Sequence, residues 1–309
     1  MNPVYDIIIV GAGPAGLTAA LYARRAEKTV LLIEKSTFGG QITHSPRVEN
    51  YPALPALSGS ELAEKLFGQV MDHGADIELD EVKSIEKSDT GYNVTTEYSC
   101  FQAKAVIIAT GSRHRPLGLA GEEELVGEGV SYCAVCDGAF YKGKTVAIIG
   151  GGNTALQEAV LLSDSSEKVY VIQNLDFLTG EESLAAIIAK RDNVEIILST
   201  VVTELVAENS SLRAVKLMNT STGEERELSL DGVFVAIGQI PENEPFKSVV
   251  ALDERGYVTA GEDCLPKSEY PGIFVAGDCR TKSVRQVTTA AADGSVAALA
   301  ACRYIDSLK

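Results

Sequence analysis

The chain has 309 residues, enough for about two domains of roughly 150 residues and for a core that needs no disulfide staples. Hydrophobic residues make up 45% and charged residues 23%, a balance that excludes a disordered or collagen-like chain. Lys and Arg number 27 against 43 Asp and Glu, a net charge of −16, so the overall field repels nucleic acid and anionic membrane. No run approaches the roughly 18 apolar residues of a membrane span. The start, Met1-Asn2-Pro3, has no basic segment, so a cytoplasmic protein without a leader is expected. Six cysteines are too sparse for a secreted disulfide scaffold, and only Cys133 and Cys136 stand as Cys-x-x-Cys.

In chain order, Tyr5–Val10 reads as an apolar strand, followed by Gly11-Ala12-Gly13-Pro14-Ala15-Gly16, a helix to Arg25 and a second strand over Thr29–Glu34. The same block returns later. Thr145–Ile149 is a strand, Gly150-Gly151-Gly152-Asn153-Thr154-Ala155 follows, then a helix to about Ser163 and a strand over Lys168–Gln173. Strand, G-x-G-x-x-G/A, helix, strand is the setting in which glycines let a backbone approach a pyrophosphate at a helix N-terminus. Lys104–Gly111 and Asp231–Gly238 echo each other as apolar strands ending in A-x-G, with Pro116 and Pro241 just beyond. The pattern predicts an α/β fold of two Rossmann-like, three-layer nucleotide-binding domains, the second inserted in the first. Residues 1–113 and 244–309 form the first, and residues 114–243 the inserted one.

Glu34 lies 23 residues after Gly11, at the strand end where a carboxylate accepts hydrogen bonds from a ribose. A solvated strand-end charge is the plainer reading of the same position. Near the far end, Gly272–Asp278 is a strand closing on Gly277-Asp278, followed by Arg285-Gln286-Val287 and an alanine-rich helix.

The set GAGPAG, GGQ at 39–41, VENYP at 48–52, ATG at 109–111, CAVCDG at 133–138, GGGNTA at 150–155 and FVAGD with RQVTTAA resembles the low-molecular-weight thioredoxin reductases, in order and over nearly the whole chain. The resemblance implies FAD in the first domain. Carried over position by position, its contacts would be Gly11, Gly13, Pro14, Ala15, Glu34, Lys35, Gly39, Gly40, Gln41 and Asn50. Val82 would lie against the adenine, Thr110 and Gly111 beside the glycine loop. Asp278, Arg285, Gln286 and Val287 would close on the ribityl chain and ring. A homodimer and a rotating inserted domain are also implied.

A Cys-x-x-Cys pair can cycle between dithiol and disulfide, with one thiol of depressed pKa. Zinc wants four ligands, and the chain offers no second Cys-x-x-Cys and three histidines, so no metal site is expected. By resemblance, Cys136 lies nearer the flavin, Cys133 attacks the disulfide of thioredoxin or a thioredoxin-like protein, and Asp137 protonates the departing thiolate. Beside Gly138, Asp137 equally suits the start of a turn. Cys279 is expected to be a packing residue.

The second glycine loop departs from the family. Gln173 is 23 residues after Gly150, where Glu34 stands in the first copy, and NADPH-dependent members carry His-Arg-Arg there with a further arginine beyond. This chain reads QNLDFLTGEE over 173–182, with three acids and no base before Lys190. The pattern is similar to the ferredoxin-dependent flavin thioredoxin reductases. A ferredoxin near −400 mV against thioredoxin near −270 mV supplies about 130 mV, roughly 6 kcal/mol for two electrons. Reduced ferredoxin is therefore the expected donor, with NADPH or NADH at an atypical site the alternative and a non-catalytic flavin-binding regulator the reading from another class. An acidic ferredoxin needs a basic face. Candidates are Arg24, Arg25 and Lys28, then Arg113, His114 and Arg115, then Lys282 and Arg285.

Overall fold

The computed structural model describes residues 4–45 and 48–308; the Met1-Asn2-Pro3 start lies outside them. The chain divides into one unit of residues 1–113 and 240–309 and a second of residues 114–239.

In the first unit, β1 (Val4–Val10), α1 (Pro14–Arg25), β2 (Val30–Glu34), α2 (Gly59–Asp72) and β3 (Asp76–Leu79) precede a meander of β4 (Val82–Ser88), β5 (Gly91–Thr96) and β6 (Cys100–Ile108). The chain leaves through β7 (Ser112–His114). The second unit holds β8 (Val130–Ser131), α3 (Ala134–Asp137), β9 (Thr145–Ile149), α4 (Asn153–Ser163), β10 (Lys168–Ile172), α5 (Glu182–Ile188), β11 (Val194–Ile197), β12 (Thr200–Glu208), β13 (Ser211–Asn219), β14 (Glu225–Ser229) and β15 (Gly232–Val235). The strand β16 (Gln239–Pro241) leads back, and β17 (Ile273–Val275) and α6 (Val287–Ser307) complete the first unit.

The first sheet runs β3-β2-β1-β6-β5-β4, with β17 also parallel to β6. β1 is parallel to both β2 and β6, as a helix crossover between strands demands. Four successive apolar residues explain its central place, because both faces of β1 are buried. Ile7 and Ile9 pack with Ala19, Ala20 and Ala23 of α1 and Ala297, Ala298 and Ala301 of α6. Ile8 and Val10 pack with Val82, Ile85, Tyr92 and Val94 of the β4–β5 hairpin. Alanines let the two helices lie close, and each buried isoleucine contributes about 1.5–3 kcal/mol.

The second unit repeats the plan. Its parallel sheet runs β11-β10-β9-β15-β8. Val146 and Ile148 face Ala155, Leu156, Ala159 and Leu162 of α4. Ala147 and Ile149 face Leu205, Leu212, Val215 and Leu217 of the antiparallel β12–β13–β14 sheet. Helix on one face and a β-meander on the other makes three layers in each unit.

The two passages between units fall in β7 and β16, which pair with each other. The return comes at Ile240 rather than at 244, because the crossover lies inside this strand pair and not after Pro241. Among the described residues no helix is long and apolar enough to cross a membrane.

Candidate active site

The first glycine loop is shaped by one close approach and one open position. Gly11 has φ +103°, and a Cβ there would lie 2.5 Å from the carbonyl oxygen of Ala109. Gly13 has ordinary φ, −74°, and no heavy atom lies within 4 Å of where its Cβ would stand. Nothing in the chain therefore demands glycine at 13. Gly13 is the N-cap of α1 and makes no side-chain cap, while Pro14 occupies the first turn and Ala15 is buried behind it. An uncapped N-terminus with this clearance suits a pyrophosphate.

Glu34 is not a solvated charge. It is 8% exposed, and its carboxylate accepts from the amides of Ala12 (2.7 Å) and Ser36 (3.0 Å), tying the end of β2 to the glycine loop. Gly39 and Gly40, both at positive φ, continue the wall: the Gly39 amide donates to Ala12 at 2.8 Å, and Gly40 lies against Gly13. Gln41 is exposed in the 3-10 turn Gly40–His44. Lys35 forms an ion pair with Glu242 and so leans along the rim. Val82 is buried at the start of β4.

The other wall comes from the chain's return. The Thr110 hydroxyl donates to Asn243 Oδ1 at 3.0 Å, and Gly111 follows at φ +66° with open space beside it. Asn50 Nδ2 donates to Gln286 Oε1 at 3.2 Å, which brings the VENYP segment to the start of α6. Gln286 caps α6 through its own amide, which donates to the Thr289 hydroxyl, and Val287 opens the helix. Arg285 stacks 4.3 Å from the centroid of Tyr257, with its Nε buried and unpaired. Asp278 Oδ1 is buried and accepts no hydrogen bond among the described residues; the nearest cation, Lys282 Nζ, is 3.8 Å away. Burial pushes its carboxyl up to about 6. Two orphaned polar groups, an uncapped helix and two clear glycine positions fit a large polar dinucleotide such as FAD.

In the second unit, Cys133 and Cys136 form a disulfide. Cys133 is the N-cap of α3, and its Sγ accepts from the Cys136 amide at 3.2 Å. Asp137 ends the same turn. Its Oδ2 accepts from the Ser131 hydroxyl at 2.6 Å, and the Ser131 oxygen in turn accepts from the Cys133 amide at 3.1 Å. Asp137 Oδ1 is buried with no hydrogen bond, and desolvation raises its pKa in spite of the Ser131 bond. A buried carboxyl whose pKa is raised beside a disulfide is the arrangement that suits a general acid.

Sequence reasoning missed Glu158. It lies on α4 and is 8% exposed, with Oε1 accepting from the Ala134 amide at 3.2 Å. The signal was present: Ala155, Glu158, Ala159 and Leu162 share one buried helical stripe, and a charge inside such a stripe is out of place. Ser131 and Asn243 were missed too, being polar residues without a motif. Cys279 is buried as a packing residue, its thiol directed at the carbonyls of Ile108 and Ala276.

Several of the bases named for a basic face are engaged within the fold. Lys28 is buried on Asp306 at 2.6 Å, Arg24 donates to the carbonyls of His73 and Lys28, and Arg113 pairs with Glu242. Lys282 is enclosed against Asp293, and Arg285 covers Tyr257. The side chains of Lys28 and Lys282 are thus buried, whereas Arg25, Arg113 and Arg115 stay exposed.

Comparison with known proteins gives one answer. Residues 5–294 match the family described as pyridine nucleotide-disulphide oxidoreductase. The chain is 40% identical over 306 residues to a thioredoxin reductase of Listeria innocua, covering 99% of this chain and 95% of that protein. It is likewise 40% identical to a thioredoxin reductase of Bacillus subtilis, covering 99% and 96%. The crystal structure of a thioredoxin reductase from Streptococcus pyogenes superimposes with a TM-score of 0.93 at 37% identity, covering 99% and 100%. The chain therefore belongs to the thioredoxin reductase family of pyridine nucleotide-disulphide oxidoreductases.

Proposed function

We propose that this chain is an FAD enzyme that passes two electrons from a reduced pyridine nucleotide through the Cys133–Cys136 pair to the disulfide of thioredoxin. The observation that carries the reading is the disulfide with Asp137 buried in the same turn and anchored by Ser131. A non-catalytic flavin binder has no use for an acid anchored by Ser131 next to a redox pair.

When bound, FAD supplies a two-electron carrier between the donor and the disulfide. The chain's own residues do the rest. Gly11, Gly13, Gly39, Gly40 and the α1 N-terminus bind the pyrophosphate, and Pro14 and Ala15 shape that turn. Glu34 orders the loop for the ribose. Asn50, Thr110, Gly111, Asp278, Arg285, Gln286 and Val287 form the wall on the flavin side, with Lys35, Gln41 and Val82 toward the adenosine. Cys133 attacks the substrate disulfide and Asp137 delivers a proton to the thiolate that leaves. Two copies of the chain would form the working homodimer.

For the donor, family membership favours a pyridine nucleotide over the ferredoxin first expected, and two of the bases named for docking, Lys28 and Lys282, have their side chains buried on carboxylates. The second glycine loop retains the form of the first: a Cβ on Gly150 would lie 2.5 Å from Ala236 O, as on Gly11 from Ala109 O. Reduced ferredoxin is the second reading, favoured by the absence of any base in 173–182. Anaerobic flavin bleaching with NADPH, NADH and reduced ferredoxin in parallel, followed by thioredoxin disulfide, separates them. Bleaching by a nicotinamide nucleotide and reoxidation by thioredoxin is the expected result. Bleaching by ferredoxin alone reverses the donor assignment.

A further inference from the structure

Two buried carboxylates attend the turn that carries the disulfide, Asp137 within it and Glu158 hydrogen-bonded to it, and the steps above use only one of them. Glu158 reaches from α4 to the Ala134 amide, the first residue of the turn that carries both cysteines. Its second oxygen, Oε2, is buried and has no hydrogen-bond partner among the described residues, and the same holds for Asp137 Oδ1. Carboxylates accept but do not donate, so burial of two such oxygens without donors favours a proton on the pair. The group facing Glu158 electrostatically is Asp137 on α3. Tyr141, in the following 3-10 turn, has its hydroxyl pushed up to about 12 by burial and by Asp137, Glu128 and Asp231, and stays neutral. Burial first, and then the charge of Asp137, push Glu158 up to about 7, against the opposing hydrogen bond from Ala134.

We propose that Glu158 is the proton reserve of the Cys133–Cys136 site, exchanging its proton with the reaction through Asp137. The inference rests on the reading of Asp137 as the acid. In the reduced pair, Cys133 forms its thiolate by yielding a proton that rests on the two carboxylates. The thiolate attacks one sulfur of the substrate; the substrate S–S bond breaks and a mixed disulfide forms. The leaving thiolate takes its proton from Asp137, and Asp137 recovers one from Glu158. Cys136 then attacks Cys133 Sγ, restoring the internal disulfide and releasing the second substrate sulfur with the proton that Cys136 gives up. Dithiol plus disulfide becomes disulfide plus dithiol, with two electrons and two protons moved. Glu158 touches no reacting sulfur in this scheme and works through Asp137, so it is a positioning and proton-storing residue.

The test needs neither a nicotinamide donor nor thioredoxin. Full-length protein with its flavin is reduced with dithiothreitol, desalted without oxygen and mixed in single turnover with two small disulfides from about pH 5 to 9. Hydroxyethyl disulfide releases a strongly basic thiolate that needs an acid, whereas an aromatic nitrobenzoate disulfide releases a stable thiolate that does not. Glu158→Gln keeps an acceptor for Ala134 and removes the proton store. The expected result is an alkaline fall in rate that begins at least one pH unit lower than in the parent with hydroxyethyl disulfide, with the aromatic disulfide unchanged within about twofold. Equal loss with both disulfides means that Glu158 only holds the turn, and superimposed profiles mean that it stores nothing; either overturns the proposal. If Asp137→Asn alone shows the leaving-group dependence, the reserve fails while the acid stands.

Discussion

Gln173 lies directly against Gly151: a Cβ added to that glycine would come within 2.6 Å of the glutamine amide. The corresponding pair in the first unit behaves differently, since Glu34 accepts from the Ala12 amide and supports the loop from behind. Gln173 instead serves its own turn, with Oε1 accepting from the Asn174 amide and Nε2 donating to Phe177 O. The segment then folds across the glycine loop, where the amides of Thr179 and Gly180 donate to Gly151 O. Glu181 meets Asn153 at the start of α4, its amide donating to Asn153 Oδ1 at 2.7 Å. A nucleotide at this loop finds a neutral amide at the ribose position and a carboxylate near the helix N-terminus. Discrimination for a 2′-phosphate has no residue to rest on.

Asn174 and Leu175 are exposed, so arginines there cost the fold little, within about 0.5 kcal/mol. A hydrogen bond between charged groups is worth roughly 1.5–3 kcal/mol, and 1.4 kcal/mol is tenfold in affinity. The double variant Asn174→Arg, Leu175→Arg is expected to lower the KM for NADPH at least tenfold and to leave that for NADH unchanged. Flavin bleaching at varied nucleotide concentration reads both values. An unchanged NADPH to NADH ratio means the 2′-phosphate does not reach this segment.

Gly13 and Gly16 separate ligand space from packing. A Cβ on Gly16 would lie 1.8 Å from Gly11 O, a backbone atom that cannot yield. Gly16→Ala should therefore cost about 1–3 kcal/mol or more as overpacking. Gly13→Val meets only open space and loses about 1 kcal/mol at the N-cap. It should nevertheless abolish flavin retention. Urea midpoints of the apoproteins and flavin absorbance per chain decide the two claims, and a Gly13→Val protein that keeps its flavin places the cofactor elsewhere.

How much of this was legible beforehand depends on whether physics writes locally. Gly11 and Gly150 were legible because a strand must turn sharply into a helix beneath a neighbouring strand, and only glycine fits at their positive φ. Glu34 was legible by spacing. Glu158 was not read, because its partner amide comes from a turn 24 residues away and its neighbours form an ordinary apolar stripe. Lys28 and Lys282 were read as surface charges, since nothing local announces Asp306 or Asp293 as their partners. Asn243, 1% exposed, joins Thr110 to the carbonyls of Gly256 and Cys279, three segments distant in sequence.

Asp137→Asn preserves the shape of the turn and an acceptor for Ser131 but removes the acid. Because desolvation raises the Asp137 pKa, the proton needed by a leaving thiolate is retained further toward neutral pH than on an ordinary carboxyl. Loss of a general acid typically costs about 10²–10⁴ in rate. The variant should keep full flavin content and reduce thioredoxin disulfide at least 100-fold more slowly, roughly the lower bound of that range. Stopped-flow reoxidation of the prereduced enzyme measures this, and a loss under threefold would falsify the acid role.

Asp293 anchors the Gly277–Lys282 segment of the first unit from within α6. Its Oδ2 accepts from the Gly277 amide (2.9 Å), Arg280 Nε (2.9 Å) and Lys282 Nζ (3.0 Å), and Oδ1 accepts from Arg280 Nη2 at 2.8 Å. The side chains of Arg280 and Lys282 are 1% and 4% exposed, so neither cation has much water to turn to. Burial pushes the Asp293 carboxyl up, but the bonds from Arg280 and Lys282 outweigh it and the net shift is downward. The linked stability is therefore complete above the ordinary carboxylate value near 4 and is lost as pH falls through the lower folded value. Asp293→Asn leaves Arg280 with only Glu262 at 3.4 Å and Lys282 with only Asp278 at 3.8 Å, a loss of about 3 kcal/mol, the lower end for a broken buried pair. The gap between parent and variant in urea midpoint should stay constant from about pH 8 to 5 and narrow below about pH 4. The carboxamide leaves one acceptor oxygen for Gly277, Arg280 and Lys282 to share, so the loop before Asp278 loosens and flavin retention falls with stability. A gap that is flat to about pH 2 would mean that the charge on Asp293 contributes nothing and that packing alone holds this end of the site.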